Sequence, residues 1–192
     1  MPDIQKLRLK ARRMAHTAHA GKKYGGGPYA FHLYDAALAL AEFGFSPHLA
    51  ETTVEFDEYR NLSVAAFLHD IIEDTDWTYR DVRKEFGDDV ADIVWAVTDE
   101  PGRNRKEKHA KTYPKIRADW RAIALKLADR IANVRNCVSE NPGMLKMYAK
   151  EWSEFQEAFR EASLAVPWNQ TGFKRMWTHL EVLMASAKEG TE

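Results

Sequence analysis

The segment from 114 to 138, PKIRADWRAIALKLADRIANVRNCV, sets Ile116, Trp120, Ile123, Leu127, Ile131 and Val134 three or four positions apart. On an α-helix all six share one face, whereas on a strand, with its period of two, they would scatter over both. The same period runs through residues 3 to 20, where Ile4, Leu7, Ala11, Met14, Ala15 and Ala18 oppose a basic face, and through YAFHLYDAALALAEF up to Gly44. Strand-type alternation is nearly absent, so an all-α fold is expected.

Punctuation sets the expected joints. GKKYGGGP, with its three consecutive glycines and a proline, excludes regular structure after the first helix. SPHLAETTVEF reads as a short helix with Ser46 as N-cap and Pro47 at its first position. RNLSVAAFLHDIIED is the next helix, ending near Thr75. Thr78 and Asp81 form an acidic capping box for YRDVRKEFG, which Gly87 closes. DDVADIVWAVTDE follows, then a turn at PGRN and the long helix from Pro114. SENPGM breaks that helix, and two last helices flank Pro167. A single domain over 1–192 is expected for 192 residues without an internal repeat or linker.

The formal net charge of −1 gives no electrostatic case for nucleic acid or an anionic membrane as bulk partner. Cys137 is the only cysteine, which excludes an intramolecular disulfide and a thiolate metal site. The N-terminus MPDIQKLRLKARRMAHTA is charged throughout, unlike a signal peptide, and no uncharged apolar run reaches the length of a membrane span. The expected compartment is the cytoplasm. Six tryptophans, among them Trp152, Trp168 and Trp177, point to core or to a contact within a homo-oligomer.

One stretch breaks the pattern of apolar cores. FLHDIIEDT, residues 67–75, sets His69, Asp70, Glu73 and Asp74 among Phe67, Leu68, Ile71 and Ile72. Burying such groups without partners is costly, so either the stretch is a solvated acidic face or a cation compensates it. A neutral imidazole nitrogen beside a hard carboxylate oxygen suits Mn²⁺, Fe²⁺ or Zn²⁺ better than Ca²⁺. Two further polar residues interrupt apolar helices, His32 in PYAFHLYDAAL and Asp129 in IALKLADRIANV. His32, His69, Asp70 and Asp129 together would give four ligands. Taken singly, His32 reads as a core histidine and Asp129 as an ion-pair partner of Arg130. Glu73 and Asp74 lie one helical turn from His69 and Asp70. There a carboxylate could accept a proton from a water that the ion has made more acidic.

His, then His-Asp, then a distant Asp resembles the HD-domain phosphohydrolases. AHAGKKYGGGPYAFH, AAFLHDIIEDT, FGDDVADIVWAVTDE and LKLADRIANVRN stand in the order and spacing of the hydrolase domain of RelA/SpoT-type alarmone enzymes. The chain most resembles the small stand-alone hydrolases of that group. The resemblance covers about residues 8–152, with additional C-terminal helices over about 143–188. It implies an HD-domain helical bundle with His32, His69, Asp70 and Asp129 as metal ligands, usually for Mn²⁺, and Glu73 and Asp74 as the catalytic pair that activates water. The implied reaction removes pyrophosphate from the ribose 3′ position of (p)ppGpp, so the partner would be a phosphorylated nucleotide, and no synthetase domain is expected.

Substrate contacts implied in the same way are Lys22, Lys23 and Tyr24 in the glycine-rich loop, Arg105 with Lys106 and Lys108, Asn133, and Tyr148. The loop could equally be a solvated connection, the 105–108 cluster a charged helix start, Asn133 a local bond and Tyr148 a packing partner of Trp152. The family usually has arginine at Tyr24, proline at Leu33 and a larger residue at Ala132. Two alternatives follow. One keeps the chemistry on another nucleotide, the 2′-phosphate of NADPH or a nucleoside mono- or triphosphate; the other is a nucleotide-binding regulatory module without turnover.

Overall fold

The computed structural model describes residues 4–140 and 142–189. Its helices are α1 (Ile4–Ala18), α2 (Ala30–Glu42), α3 (Thr53–Leu68), α4 (Ile71–Asp74), α5 (Tyr79–Phe86), α6 (Asp88–Val97), α7 (Arg105–Ala118), α8 (Trp120–Glu140), α9 (Pro142–Ala165) and α10 (Gln170–Glu189). The all-α expectation holds.

α3 is the central helix. Leu62, Val64, Ala65, Ala66 and Leu68 are fully buried, so it is apolar nearly all round, the pattern of a helix packed on every side. Its neighbours are α1, α2 and α6, while α8 packs against α2, α9 and α10. α2 therefore packs against both α3 and α8 and carries His32 between them. Trp152 and Trp177 sit in the aromatic core with Phe155 and Phe159, and Trp168 is partly exposed.

Three local expectations change. The glycine-rich loop is not wholly irregular: β1 (Lys23–Tyr24) pairs antiparallel with β2 (Gly27–Pro28) in a two-residue ladder. Ser46 makes no side-chain capping bond; it precedes only a 3₁₀ turn, Pro47–Leu49. The cap that starts α3 is Thr52, whose hydroxyl accepts the N–H of Glu55 at 3.1 Å. The long helix does not begin at Pro114, which lies inside α7. Asp119, extended at φ −131°, separates α7 from α8, and its carboxylate accepts the N–H of Arg121 at 2.9 Å. The capping box at Thr78 and Asp81 forms, and Gly87 ends α5 at φ +89°, a conformation that costs other residues a steric penalty.

Thr52→Ala is expected to lower stability by about 1 kcal/mol, whereas Ser46→Ala should change it by only a few tenths. Urea denaturation of the two variants checks this, and equal losses would contradict the assignment.

Candidate functional site

The joint between α3 and α4 falls on the His-Asp pair. Asp70 has φ −98° and ψ 0°, so the chain leaves the helix at His69 and makes one further turn as Ile71–Asp74. An unbroken helix would splay adjacent side chains by about 100°. Here His69 Nε2 and Asp70 Oδ2 come within 3.2 Å. α2 adds His32, whose Nε2 is 3.1 Å from His69 Nε2 and 3.3 Å from Asp70 Oδ2. α8 adds Asp129, whose Oδ1 lies 3.2 Å from His32 Nε2 and 3.8 Å from His69 Nε2.

These separations test whether the residues fit a metal ion. With metal–ligand bonds of about 2.1 Å, the edge of an octahedron is about 3.0 Å and that of a tetrahedron about 3.4 Å. His32, His69 and Asp70 offer donor atoms that all lie within 4.8 Å of one another, and two imidazoles with a carboxylate suit a divalent ion; Asp129 approaches both imidazoles but stands outside that group of three. His69 Nε2 is an acceptor while its Nδ1 donates to Ala66, so its 3.1 Å contact with His32 Nε2 needs a proton on His32 Nε2 or a cation shared by the two rings. Burial works against protonating them, yet Asp70 and Asp129 outweigh it: His32 is raised above the ordinary histidine value and His69 well above it. Burial likewise opposes ionising Asp70 and Asp129, but the histidines, and for Asp129 also Lys126, hold both well below the ordinary carboxylate value. The cluster calls for positive charge at its centre.

A second layer orients these ligands. His69 Nδ1 donates to the carbonyl of Ala66 at 2.8 Å, which turns Nε2 inward. The Tyr29 hydroxyl donates to Asp70 Oδ2 at 2.7 Å, and the Tyr29 ring stacks on buried His19 at 4.9 Å. Asn133 donates its amide to Asp129 Oδ1 at 2.5 Å, and Tyr24 donates its hydroxyl to Asn133 Oδ1 at 3.1 Å. Tyr29 was not singled out from the sequence. Its hydroxyl could be placed only once the loop and the α3–α4 joint were seen to meet.

The cluster opens on a cavity of about 210 Å³. Asp70, Glu73, Asp99 and Asp129 line one side of its chemistry, and Arg105, His109, Lys126 and Arg130 supply the other, with Asn133 and Tyr148 also in the wall. Glu73 Oε2 accepts the backbone N–H of Asp99 at 3.2 Å. Burial, followed by the charge of Asp99, pushes the Glu73 carboxyl above its ordinary value. Lys126 approaches Asp129 Oδ2 at 3.1 Å. Arg130 does not pair with Asp129; it faces Glu151 on α9. Burial pushes the Tyr148 hydroxyl up to about 12.

The remaining sequence candidates lie elsewhere. Asp74 is absent from the cavity wall and pairs with Lys22, Nζ to Oδ1 at 3.2 Å. Lys23 is exposed on β1 and does not reach the cavity, and Tyr24 reaches the site only through Asn133 and the His32 ring, 4.7 Å away. His109, Lys126 and Arg130 were missed as cavity residues, because in sequence they read as helix charges.

A family model described as HD domain matches residues 11–155. The chain belongs to the HD-domain family. Among curated HD relatives, it is 35% identical over 137 residues to the guanosine-3′,5′-bis(diphosphate) 3′-pyrophosphohydrolase of Aquifex aeolicus, covering 69% of this chain and 18% of the relative. It is 35% identical over 163 residues to the bifunctional (p)ppGpp synthase/hydrolase SpoT of Escherichia coli, covering 80% and 21%. The chain thus spans about a fifth of the length of these relatives. A solved metazoan SpoT ortholog, described as hydrolysing ppGpp, shares the HD fold at a TM-score of 0.68 and 21% identity, over 94% of this chain and 97% of that one. No helix among the described residues is long and apolar enough to cross a membrane.

Proposed function

We propose that this chain is a metal-dependent nucleotide phosphohydrolase, and specifically a guanosine-3′,5′-bis(diphosphate) 3′-pyrophosphohydrolase that works with Mn²⁺ in the cytoplasm. The observation that carries the reading is the gathering of His32, His69 and Asp70 within 4.8 Å of one another, with Asp129 beside both imidazoles, at a small cavity also lined by Arg105, Lys126 and Arg130. The names of the relatives support the choice of substrate.

His32, His69, Asp70 and Asp129 would hold the ion. When bound, a divalent ion supplies Lewis acidity to a phosphoryl oxygen and to water. Glu73 is assigned as proton acceptor for the attacking water, because its carboxylate lines the cavity while one oxygen is fixed by Asp99 N–H. The water oxygen bonds to the phosphorus attached at the ribose 3′ oxygen, the P–O3′ bond breaks with its electron pair on O3′, O3′ takes up a proton, and GDP and pyrophosphate result. Lys126, Arg105 and Arg130, which line the same cavity, offset the phosphate charge. Asp74 serves the pair differently, anchoring the glycine-rich loop through Lys22.

A proton acceptor must be ionised, so turnover falls as pH drops through the pKa of Glu73. Asp99 contributes to holding that pKa up. Asp99→Asn keeps the backbone N–H and removes the charge, so the acid limb of the kcat profile should move to lower pH. An unmoved limb would show that another group takes the proton.

The substrate claim is tested with a nucleotide panel at fixed Mn²⁺, comprising ppGpp, NADPH and nucleoside mono- and triphosphates, with phosphate and pyrophosphate release scored separately. Pyrophosphate from ppGpp, lost in His69→Ala, is expected. Phosphate from NADPH with ppGpp intact would move the proposal to that substrate. Tight binding without any product would favour the regulatory-module reading.

A further inference from the structure

Arg130 is 4% exposed, yet it has no carboxylate of its own. Its guanidinium is sandwiched between the rings of Tyr148 and Phe155, 4.5 and 4.3 Å from their centroids. Nη2 reaches Glu151 Oε2 only at 3.6 Å, and Nη1 is buried without a hydrogen-bond partner among the described residues. The same Glu151 is already held by Arg105, whose Nε meets Oε1 at 2.6 Å and whose Nη2 meets Oε2 at 3.1 Å. One carboxylate therefore serves two guanidinium groups, and the more buried one is left short. Buried donors are rarely left so, because each costs its full desolvation.

Both arginines line the cavity that the metal cluster opens on. The Arg105 fork on one carboxylate, with the unfilled donors of Arg130 beside it, is an arrangement that also suits phosphate oxygens. At about 210 Å³ the cavity is below the roughly 300–1,000 Å³ of sites that enclose whole drug-sized ligands, so it suits the phosphate end of a nucleotide rather than its nucleoside.

We propose that Arg130 and Arg105 form a subsite for the diphosphate leaving group, and that Glu151 fills this subsite in the free protein as an internal anion that diphosphate displaces. The inference rests on the reading of the reaction as pyrophosphate release. It adds a consequence of its own, since neutralising Glu151, the acid beside the two arginines that line the cavity, should strengthen binding of the product.

The probe is inorganic pyrophosphate, titrated calorimetrically into chelator-treated protein so that no metal contributes. Glu151→Gln should bind it about ten-fold more tightly than wild type, and Arg130→Met, which keeps an apolar stem between the rings, about ten-fold more weakly. Arg105→Ala, at a half-exposed position, should weaken binding in the same direction, which keeps the test open if Arg130→Met does not fold. Unchanged or weaker binding in Glu151→Gln overturns the displacement, as does the absence of binding in both wild type and Glu151→Gln. Pyrophosphate affinity indifferent to Arg130 and Arg105, in a protein that hydrolyses ppGpp, removes the subsite and leaves the function. The expected shifts in a protein inert toward ppGpp would keep the subsite and remove the substrate.

Discussion

Asp129→Ala should abolish detectable binding of Mn²⁺ and lower turnover by at least about 10³-fold. Asp129 is the residue through which most of the site is connected. Its Oδ1 faces both imidazoles and accepts the Asn133 amide, and its Oδ2 accepts Lys126. Deletion removes a ligand and leaves the histidines, the amide and the ammonium without their shared partner. Breaking such a network should also destabilise the fold by about 2 kcal/mol, roughly 5 °C in Tm. Asp129→Asn separates the effects, since the amide keeps shape and hydrogen-bonding oxygen but not charge, so metal binding should still fall. Equilibrium dialysis, turnover and thermal melting measure the three consequences. An alanine variant that keeps stoichiometric Mn²⁺ would remove Asp129 from the ligand set.

Glu73→Gln should lower kcat by about 10²–10⁴-fold with little change in KM or in metal affinity. Glu73 is outside the four converging donors, so the ion loses nothing directly. The glutamine carbonyl can still accept the Asp99 N–H that Glu73 Oε2 accepts, so the wall keeps its shape. What disappears is a group able to take a proton. The residual activity should also lose the acid limb of its pH profile. Activity within a few-fold of wild type would give the proton to another group, and Asp74 could assume that part only if it left Lys22.

The candidate ligands were legible in sequence because they contradict their surroundings. Two histidines and two aspartates standing among apolar helix positions need a compensating charge, and periodicity shows which of them are interior. The way His69 and Asp70 reach one point was not legible, because the helix breaks there without glycine or proline. Asn133 shows the limit of spacing arguments. Four residues after Asp129 it does share that face and lines the cavity, but spacing did not show that one of its amide hydrogens goes to the Asp129 carboxylate. Lys22 pairs with a residue 52 positions away, and Arg130 with one on α9, so only the packed fold could reveal either. The break at Asp119 was hidden because Ile116, Trp120 and Ile123 keep one period across it.

The most direct test titrates Mn²⁺ into metal-free protein while bound ion and pyrophosphate released from ppGpp are followed in the same samples. A site built from His32, His69, Asp70 and Asp129 predicts that turnover rises with bound metal and levels off at about one ion per chain. Turnover in the metal-free protein, or bound metal without pyrophosphate release, would contradict it.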